Sequence, residues 1–236
     1  MNYLLYLFGF LPSIVWLLFY LKKDSHPESN RMILKIFFLG MVAAFFAILL
    51  EKGFQFSLSF FENKTLNPIL IIFLGGALIE EYLKYLVVRI WVFKNSEMDE
   101  SFDLLLYMII AALGFAALEN ILVLTNFHPF LTVGKALETM ACRFVSATIL
   151  HALCSALLGY FLALSFLHLK WRKLLFLAGL GIVTTLHGLY NFSIMKIGGL
   201  AKFIIPIVIL ISLFFTILSV IKRLKRLKSV CKIYNM

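Results

Sequence analysis

Ionisable side chains interrupt four of the most apolar stretches of this sequence. A charged group near the centre of a bilayer costs at least about 2.5 kcal/mol, so each of these groups needs a partner, water or a chemical role. Because they come from separate stretches, we expect them to meet at one site. The deepest are three carboxylates and two imidazoles: Glu80, Glu81, Glu119, His151 and His187.

Helical spacing predicts which side chains share a face. Glu80 and Lys84 are four residues apart and share one, whereas Glu81 points about 100° away. One glutamate is expected to face water and the other to pair with Lys84, and the spacing leaves open which is which. His187 and Asn191 are also four apart and project toward the same neighbour.

A site of glutamates and histidines fits two hydrolytic schemes. In the first, a buried glutamate is the general base for water, while the imidazoles and Asn191 hydrogen-bond the oxyanion formed on an amide carbonyl. In the second, a carboxylate and two imidazoles bind zinc, which acidifies the water instead. The sequence leaves both schemes open. The candidate metal ligands are Glu119, His151 and His187, and the candidate supporting residues are Lys84, Asn120 and Arg143.

Other mechanisms lack the residues that they require. The sequence has no HExxH motif and no GxSxG motif, and its three aspartates are Asp24, Asp99 and Asp103. Asp103 stands near the end of an apolar stretch, where we expect it to be solvated. Cys142 and Cys154 are about three turns apart, too far to form a disulfide. These features argue against an aspartyl dyad, an HExxH zinc site and redox chemistry.

The elements that carry these residues are predicted to be membrane-spanning helices. Of the 236 residues, 62% are hydrophobic and 14% charged, against about 25% charged in soluble domains. We expect an all-α, polytopic bundle of about seven transmembrane helices, forming a single integral membrane domain over residues 1–236. Residues 51–67 are expected to form an aromatic-rich loop, with an amphipathic interfacial segment as the alternative. The predicted spans are 3–21, 32–50, 68–93, 102–124, 140–168, 172–195 and 200–221.

The distribution of cations predicts the orientation in the membrane. An N-terminus outside and a C-terminus in the cytoplasm put thirteen basic loop and tail residues inside and five outside, as the positive-inside rule requires. The basic tail is then an orientation anchor rather than a nucleic-acid site. In this orientation, Glu80, Glu119, His151 and His187 lie roughly 18, 8, 16 and 12 Å below the outer boundary. One cavity on the outer side could therefore collect them.

The order of these motifs resembles that of the PrsW family of intramembrane endopeptidases, which is related to the CAAX prenyl endopeptidases and the bacterial Abi proteins. The resemblance covers about residues 68–195. Its motifs are Glu80-Glu81-x-x-Lys84, Phe115-x-x-x-Glu119-Asn120, His151 and His187-x-x-x-Asn191.

The resemblance implies an intramembrane protease that makes the first, extracytoplasmic cut in a membrane-anchored anti-sigma factor. By the same resemblance, Glu80 or Glu81 activates water, and His151, His187 and Asn191 assist at the scissile carbonyl. Glu119 stands where the CAAX endopeptidases carry a histidine, which argues against prenylated substrates. The resemblance leaves open whether Glu119 is a catalytic partner or a metal ligand.

Three other functions use similar residues. A non-catalytic scaffold or receptor would grip a transmembrane partner in the same polar cavity, and a bacteriocin-immunity member of the same superfamily would have a different biological role. A proton-coupled transporter would relay protons through the same carboxylates and imidazoles. The sequence lacks the paired broken helices or internal symmetry of transporters, and we interpret Gly75-Gly76 as a helix-packing site.

Overall fold

The computed structural model describes residues 3–24, 26–61 and 66–226, and over these residues it contains helices and no strand. Within these ranges, seven helical stretches are long and apolar enough to cross a membrane, which confirms the predicted class. A 3-10 helix, Tyr3–Phe10, leads into the bundle, and a 3-10 turn, Leu169–Trp171, joins two of its helices. The α-helices are α1 (Leu11–Leu21), α2 (Asn30–Leu58), α3 (Leu66–Leu70), α4 (Ile79–Trp91), α5 (Ser101–Thr125), α6 (Val133–Phe144), α7 (Ala147–Leu167), α8 (Arg172–Lys196) and α9 (Ala201–Leu224).

Helix α5 lies at the centre of the bundle. Every side chain from 104 to 113 is fully buried, and α5 packs most extensively against α7 and α2. The backbones of α5 and α2 approach closely because glycines stand at their contact. A Cβ on Gly114 would lie 1.9 Å from the carbonyl oxygen of Phe37. A Cβ on Gly40 would lie 2.1 Å from the carbonyl oxygen of Ala111. Small residues of this kind let membrane helices approach backbone to backbone.

Helix α2 continues further than the sequence suggested. Residues 51–58 were expected to begin a loop, but they extend the helix to Leu58, so that expectation is wrong for them. They contain no proline to end the helix, and the ring of Phe54 packs where Gly75 has no side chain, 2.6 Å from the position of an added Cβ. Beyond them, residues 59–61 form a turn, and residues 62–65 lie outside the described chain.

The fifth predicted span is not one helix. We expected continuity over 140–168, whereas α6 ends at Phe144 and α7 begins at Ala147. The indole nitrogen of Trp16 donates a hydrogen bond to the carbonyl oxygen of Phe144 at 2.9 Å, and the Ser146 hydroxyl donates to that of Cys142 at 2.6 Å. These contacts satisfy carbonyl groups that a broken helix leaves free.

The third span changes its winding just before the glutamates. Residues Ile71–Leu78 form a π-helical stretch between α3 and α4. Gly75 lies within it and packs against Phe54, as expected of a helix-packing glycine, whereas a Cβ on Gly76 would meet only the carbonyl oxygen of Ile71, at 3.6 Å. A π-helical stretch rotates the residues that follow it, and such stretches are frequent at functional sites.

Asp103 lies in the first turn of α5 and is buried. Only 1% of its surface is exposed, so the expected solvation is wrong. Its carboxylate accepts hydrogen bonds from the backbone N–H groups of Asp99 and Glu100, at 2.9 and 2.6 Å. These bonds satisfy donors at the start of the helix and explain why the carboxylate can leave water.

Candidate active site

A cavity of about 500 Å³ collects the polar residues of the spans. Side chains of α2, α4, α5, α6, α7 and α8 contribute to its wall. Among the nine predicted site residues, Glu81, Lys84 and Asn120 are fully buried. The other six line the cavity: Glu80, Glu119, Arg143, His151, His187 and Asn191.

Three of these side chains converge on one point. The Oε2 atom of Glu80 lies 3.7 Å from Nδ1 of His151 and 3.8 Å from Nε2 of His187. All three residues are buried, and the two imidazole planes are nearly perpendicular, at 86°. Oε2 of Glu80 is shielded from solvent and has no hydrogen-bond partner. Together, this carboxylate oxygen and the two imidazole nitrogens form a donor set that fits a metal ion.

Each imidazole is held from behind by a second carboxylate. Oε2 of Glu119 lies 2.8 Å from Nε2 of His151, and Oε1 of Glu81 lies 2.9 Å from Nδ1 of His187. Contacts of this kind set the tautomer and the orientation of a histidine whose other nitrogen faces a metal or substrate. The compact donor set thus contains Glu80, whereas Glu119, which the sequence grouped with the histidines as a ligand, contacts the far nitrogen of His151.

Glu80 and Glu81 have different surroundings, as their angular separation predicted. Glu80 lines the cavity, but Glu81 has no exposed surface. Oε1 of Glu81 accepts a hydrogen bond from Lys84 at 2.8 Å, and Oε2 accepts one from Ser155 at 3.1 Å. Glu81 therefore lies behind the cavity, where it can orient and neutralise its neighbours.

Lys84 is a fully buried cation at the centre of this network. Besides its bond to Glu81, its ammonium lies 3.6 Å from Oε2 of Glu80 and 4.4 Å from the ring centre of Phe115. It also lies 2.7 Å from Nδ1 of His151. That nitrogen has one lone pair, so a metal ion bound there would require the ammonium to turn away toward Glu81.

Arg143 and Asn120 support the other end of the network. Arg143 donates to Oε2 of Glu119 at 3.2 Å and to the side-chain oxygen of Asn120. The amide nitrogen of Asn120 donates to the carbonyl oxygen of Gly9 at 3.1 Å and to the hydroxyl of Thr148 at 3.3 Å. The site is thereby tied to the first helical segment and to α7.

Two contributors were not identified from the sequence. Glu51 of α2 lies close enough to Glu80 and Glu119 for their charges to interact, but its segment was expected to be a loop. The absence of proline through residues 51–58 was the signal that the helix continues. Ser155 was considered only as a weak nucleophile candidate, and it is instead a hydrogen-bond donor to Glu81. Its position one turn after His151 placed it on the correct face.

Comparison with known proteins assigns the family. The model of the PrsW family of intramembrane metalloproteases matches residues 28–220. The chain belongs to the PrsW family. Protease PrsW of Geobacillus kaustophilus (strain HTA426) is 30% identical over 188 residues, which cover 79% of this chain and 78% of that protein. Protease PrsW of Bacillus subtilis (strain 168) is 29% identical over 207 residues, which cover 85% of this chain and 87% of that protein.

Membership of the PrsW family agrees with the fold. An intramembrane protease with seven spanning helices is a multi-pass protein of the lipid bilayer. The family match begins forty residues before the predicted core of 68–195 and ends twenty-five after it. No solved structure matches the chain.

Proposed function

We propose that this PrsW protein hydrolyses a peptide bond of a membrane-anchored protein, with Glu80, His151 and His187 at the reacting centre. The observation that carries the proposal is the orphaned Oε2 of Glu80, with an imidazole nitrogen on either side at 3.7 and 3.8 Å. This oxygen has an ion-pair contact with Lys84 at 3.6 Å but no hydrogen bond, and a buried oxygen without a hydrogen bond costs stability, which is accepted where the atom has a chemical role.

In the favoured scheme, these three residues would hold a zinc ion. Three protein ligands are typical of catalytic zinc sites, which keep a fourth position for water or substrate. When bound, zinc supplies an acidified water and polarises the scissile carbonyl. Glu119 and Glu81 would hold the imidazoles in position, and Lys84 would remain paired with Glu81.

A second hydrolytic scheme needs no metal, and the contact between Lys84 and His151 supports it. In this scheme, Glu80 accepts the proton of the attacking water at its cavity-facing carboxylate. Asn191, which lines the same cavity, donates a hydrogen bond to the oxyanion, and Nε2 of His187 does so when the ring is an imidazolium, because Nδ1 already donates to Glu81. Both schemes give the same products, and both require Glu80.

The proposed substrate is a single-span protein such as an anti-sigma factor, cut at its extracytoplasmic side. The cavity wall includes the last turns of α5 and of α8 and the first turn of α7, which all lie at one end of the bundle. The basic loop and tail residues favour an extracytoplasmic assignment for this end, with the N-terminus outside and the C-terminus in the cytoplasm. By the resemblance to the CAAX endopeptidases, Glu119 would stand where they carry a histidine, which argues against prenylated substrates.

The test is cleavage of candidate single-span anti-sigma factors by the purified full-length protein in detergent, with Glu80→Gln as the test variant. Glu138→Gln is the matched control, because Glu138 is an exposed carboxylate on α6 that pairs with Lys135. We expect the wild type and Glu138→Gln to cleave and Glu80→Gln to lose at least about 100-fold in rate.

A chelator separates the two schemes. Loss of cleavage with chelator and recovery with zinc supports the metal scheme, whereas unchanged cleavage supports Glu80 as the base. Wild-type cleavage rates in both Glu80→Ala and Glu81→Ala would refute the site. Substrate binding without cleavage in the wild type would favour the scaffold or immunity-type function instead.

A further inference from the structure

A second cavity, of about 230 Å³, opens between α1 and α9. Its mouth lies where both helices end, beside Phe102 at the start of α5. The candidate active site lies near the other end of α5, so the two cavities face opposite sides of the membrane. None of the nine site residues lines this second cavity.

Three lysines surround the mouth: Lys23, Lys222 and Lys225. The Lys23 ammonium lies 5.1 Å from the ring centre of Phe19, so it is held over the edge of the cavity. Lys225 donates a hydrogen bond to the backbone carbonyl of Lys23, which ties the end of α9 to the end of α1. Lys225 also interacts with the nearby Asp24, whereas Lys23 and Lys222 are exposed side chains.

The interior of this cavity is apolar. Side chains of α9 from Phe214 to Ile221 form one wall, and the fully buried Leu153 of α7 also lines the cavity. From Phe214 to its end at Leu224, α9 rises about 15 Å, half of the roughly 30 Å hydrocarbon thickness of a bilayer. Both α1 and α9 pack against α7, so the cleft between them is a fixed feature of the bundle.

We propose that this cavity binds one anionic phospholipid from the adjoining leaflet. Its phosphate would lie between Lys23 and Lys222, and one acyl chain would follow α9 toward Leu153. Basic pockets between membrane helices at an interface are suited to anionic lipid headgroups, and the apolar depth matches a lipid tail. A free phosphate would contact the lysines but leave the apolar wall uncovered. An apolar helix of another protein would cover the wall but would not pair with the lysines.

The test is native mass spectrometry of the full-length protein in neutral detergent, titrated with phosphatidylglycerol, phosphatidylcholine or glycerol phosphate. The charge variant is Lys23→Gln with Lys222→Gln. The control is Lys22→Gln with Arg226→Gln, since these neighbouring exposed cations do not line the cavity. A second test variant, Leu218→Trp, fills the apolar wall, with the exposed Ile211→Trp on the same helix as its control.

We expect the wild type to retain one phosphatidylglycerol in preference to phosphatidylcholine, and to bind glycerol phosphate only weakly. The Lys23 and Lys222 variant should bind phosphatidylglycerol about 30-fold more weakly, while its control stays within about threefold of the wild type. Leu218→Trp should lose the lipid and Ile211→Trp should keep it. Equal losses in test and control variants, equal binding of the two lipids, or glycerol phosphate binding as tightly as phosphatidylglycerol would overturn the proposal.

Discussion

Nδ1 of His187 lies 2.9 Å from Oε1 of Glu81, and the same oxygen accepts a hydrogen bond from Lys84. One carboxylate oxygen therefore connects an imidazole at the cavity to a fully buried cation behind it. Glu81 has no exposed surface, so water does not reach it to replace its contacts. It therefore balances the charge of Lys84 and orients His187. Glu80, one residue earlier, lines the cavity instead.

Glu81→Gln should destabilise the protein as well as slow it. The variant keeps the shape of the side chain but leaves the buried Lys84 with one carboxylate within 4 Å, that of Glu80 at 3.6 Å. Removing one partner of a buried ion pair costs about 3–5 kcal/mol. The measurement is thermal unfolding in detergent, with the exposed Glu138→Gln expected to melt like the wild type. A wild-type melting temperature for Glu81→Gln would contradict this account of Lys84.

Glu119→Gln should weaken metal binding without removing a proposed ligand. Glu119 contacts Nε2 of His151, on the opposite side of the ring from Glu80. Loss of such an outer carboxylate typically costs about 10–100-fold in metal affinity. Zinc titration of the purified variant measures this. Unchanged affinity would mean that Glu119 does not orient His151, and complete loss of binding would point to Glu119 as a ligand.

Gly114→Ala should lower stability because α2 and α5 touch at this position. The added Cβ would meet the Phe37 carbonyl oxygen at 1.9 Å, so the two helices would have to separate. Overpacking of this kind costs about 1–3 kcal/mol. Gly181→Ala is the control, since nothing lies within 4 Å of a Cβ there. Equal melting temperatures for the two variants would show that the helices do not approach this closely.

Glu28 should make stability depend on pH. Burial raises the pKa of its carboxyl from 4.5 to about 8, and Tyr107 donates a hydrogen bond to it at 2.5 Å. Because the folded-state pKa is above the unfolded-state value, the protonated carboxyl of Glu28 is the form that the folded protein favours. Its contribution to the stability of the folded protein is fully present below pH 4.5 and is lost as the pH rises to about 8.

Glu28→Gln cannot ionise, so its melting temperature should fall less than that of the wild type across this interval. Melting curves of both proteins in one detergent, measured from pH 4.5 to 8, provide the comparison. Parallel curves would contradict the raised pKa of Glu28.

The cost of placing charge in a membrane explains why the site residues could be found from sequence. Glu80, His151 and His187 stand in apolar spans, where few groups of this kind occur without a role. The sequence grouped Glu119, and not Glu80, with the two imidazoles as a candidate metal ligand, whereas Glu80 is the carboxylate beside both of them. Both glutamates lie at compatible depths, and the choice between them depends on how α4, α5 and α7 pack together.

The helix boundaries were less predictable than the spans. The break after Phe144 depends on a hydrogen bond from Trp16, which is distant in sequence, so no local pattern marks it. The extension of α2 beyond residue 50 depends on Phe54 fitting against Gly75 of another span. Part of the basic tail, with Lys228, Cys231 and Lys232, lies outside the described residues.

The metal content of the purified protein tests the central claim most directly. After incubation with zinc and removal of the excess, elemental analysis should find about one zinc per wild-type chain, as expected for one three-ligand site. The combined Glu80→Gln and His187→Ala variant should retain far less, while Glu138→Gln should match the wild type. Equal zinc content in the wild type and the combined variant would contradict a metal centre formed by Glu80, His151 and His187.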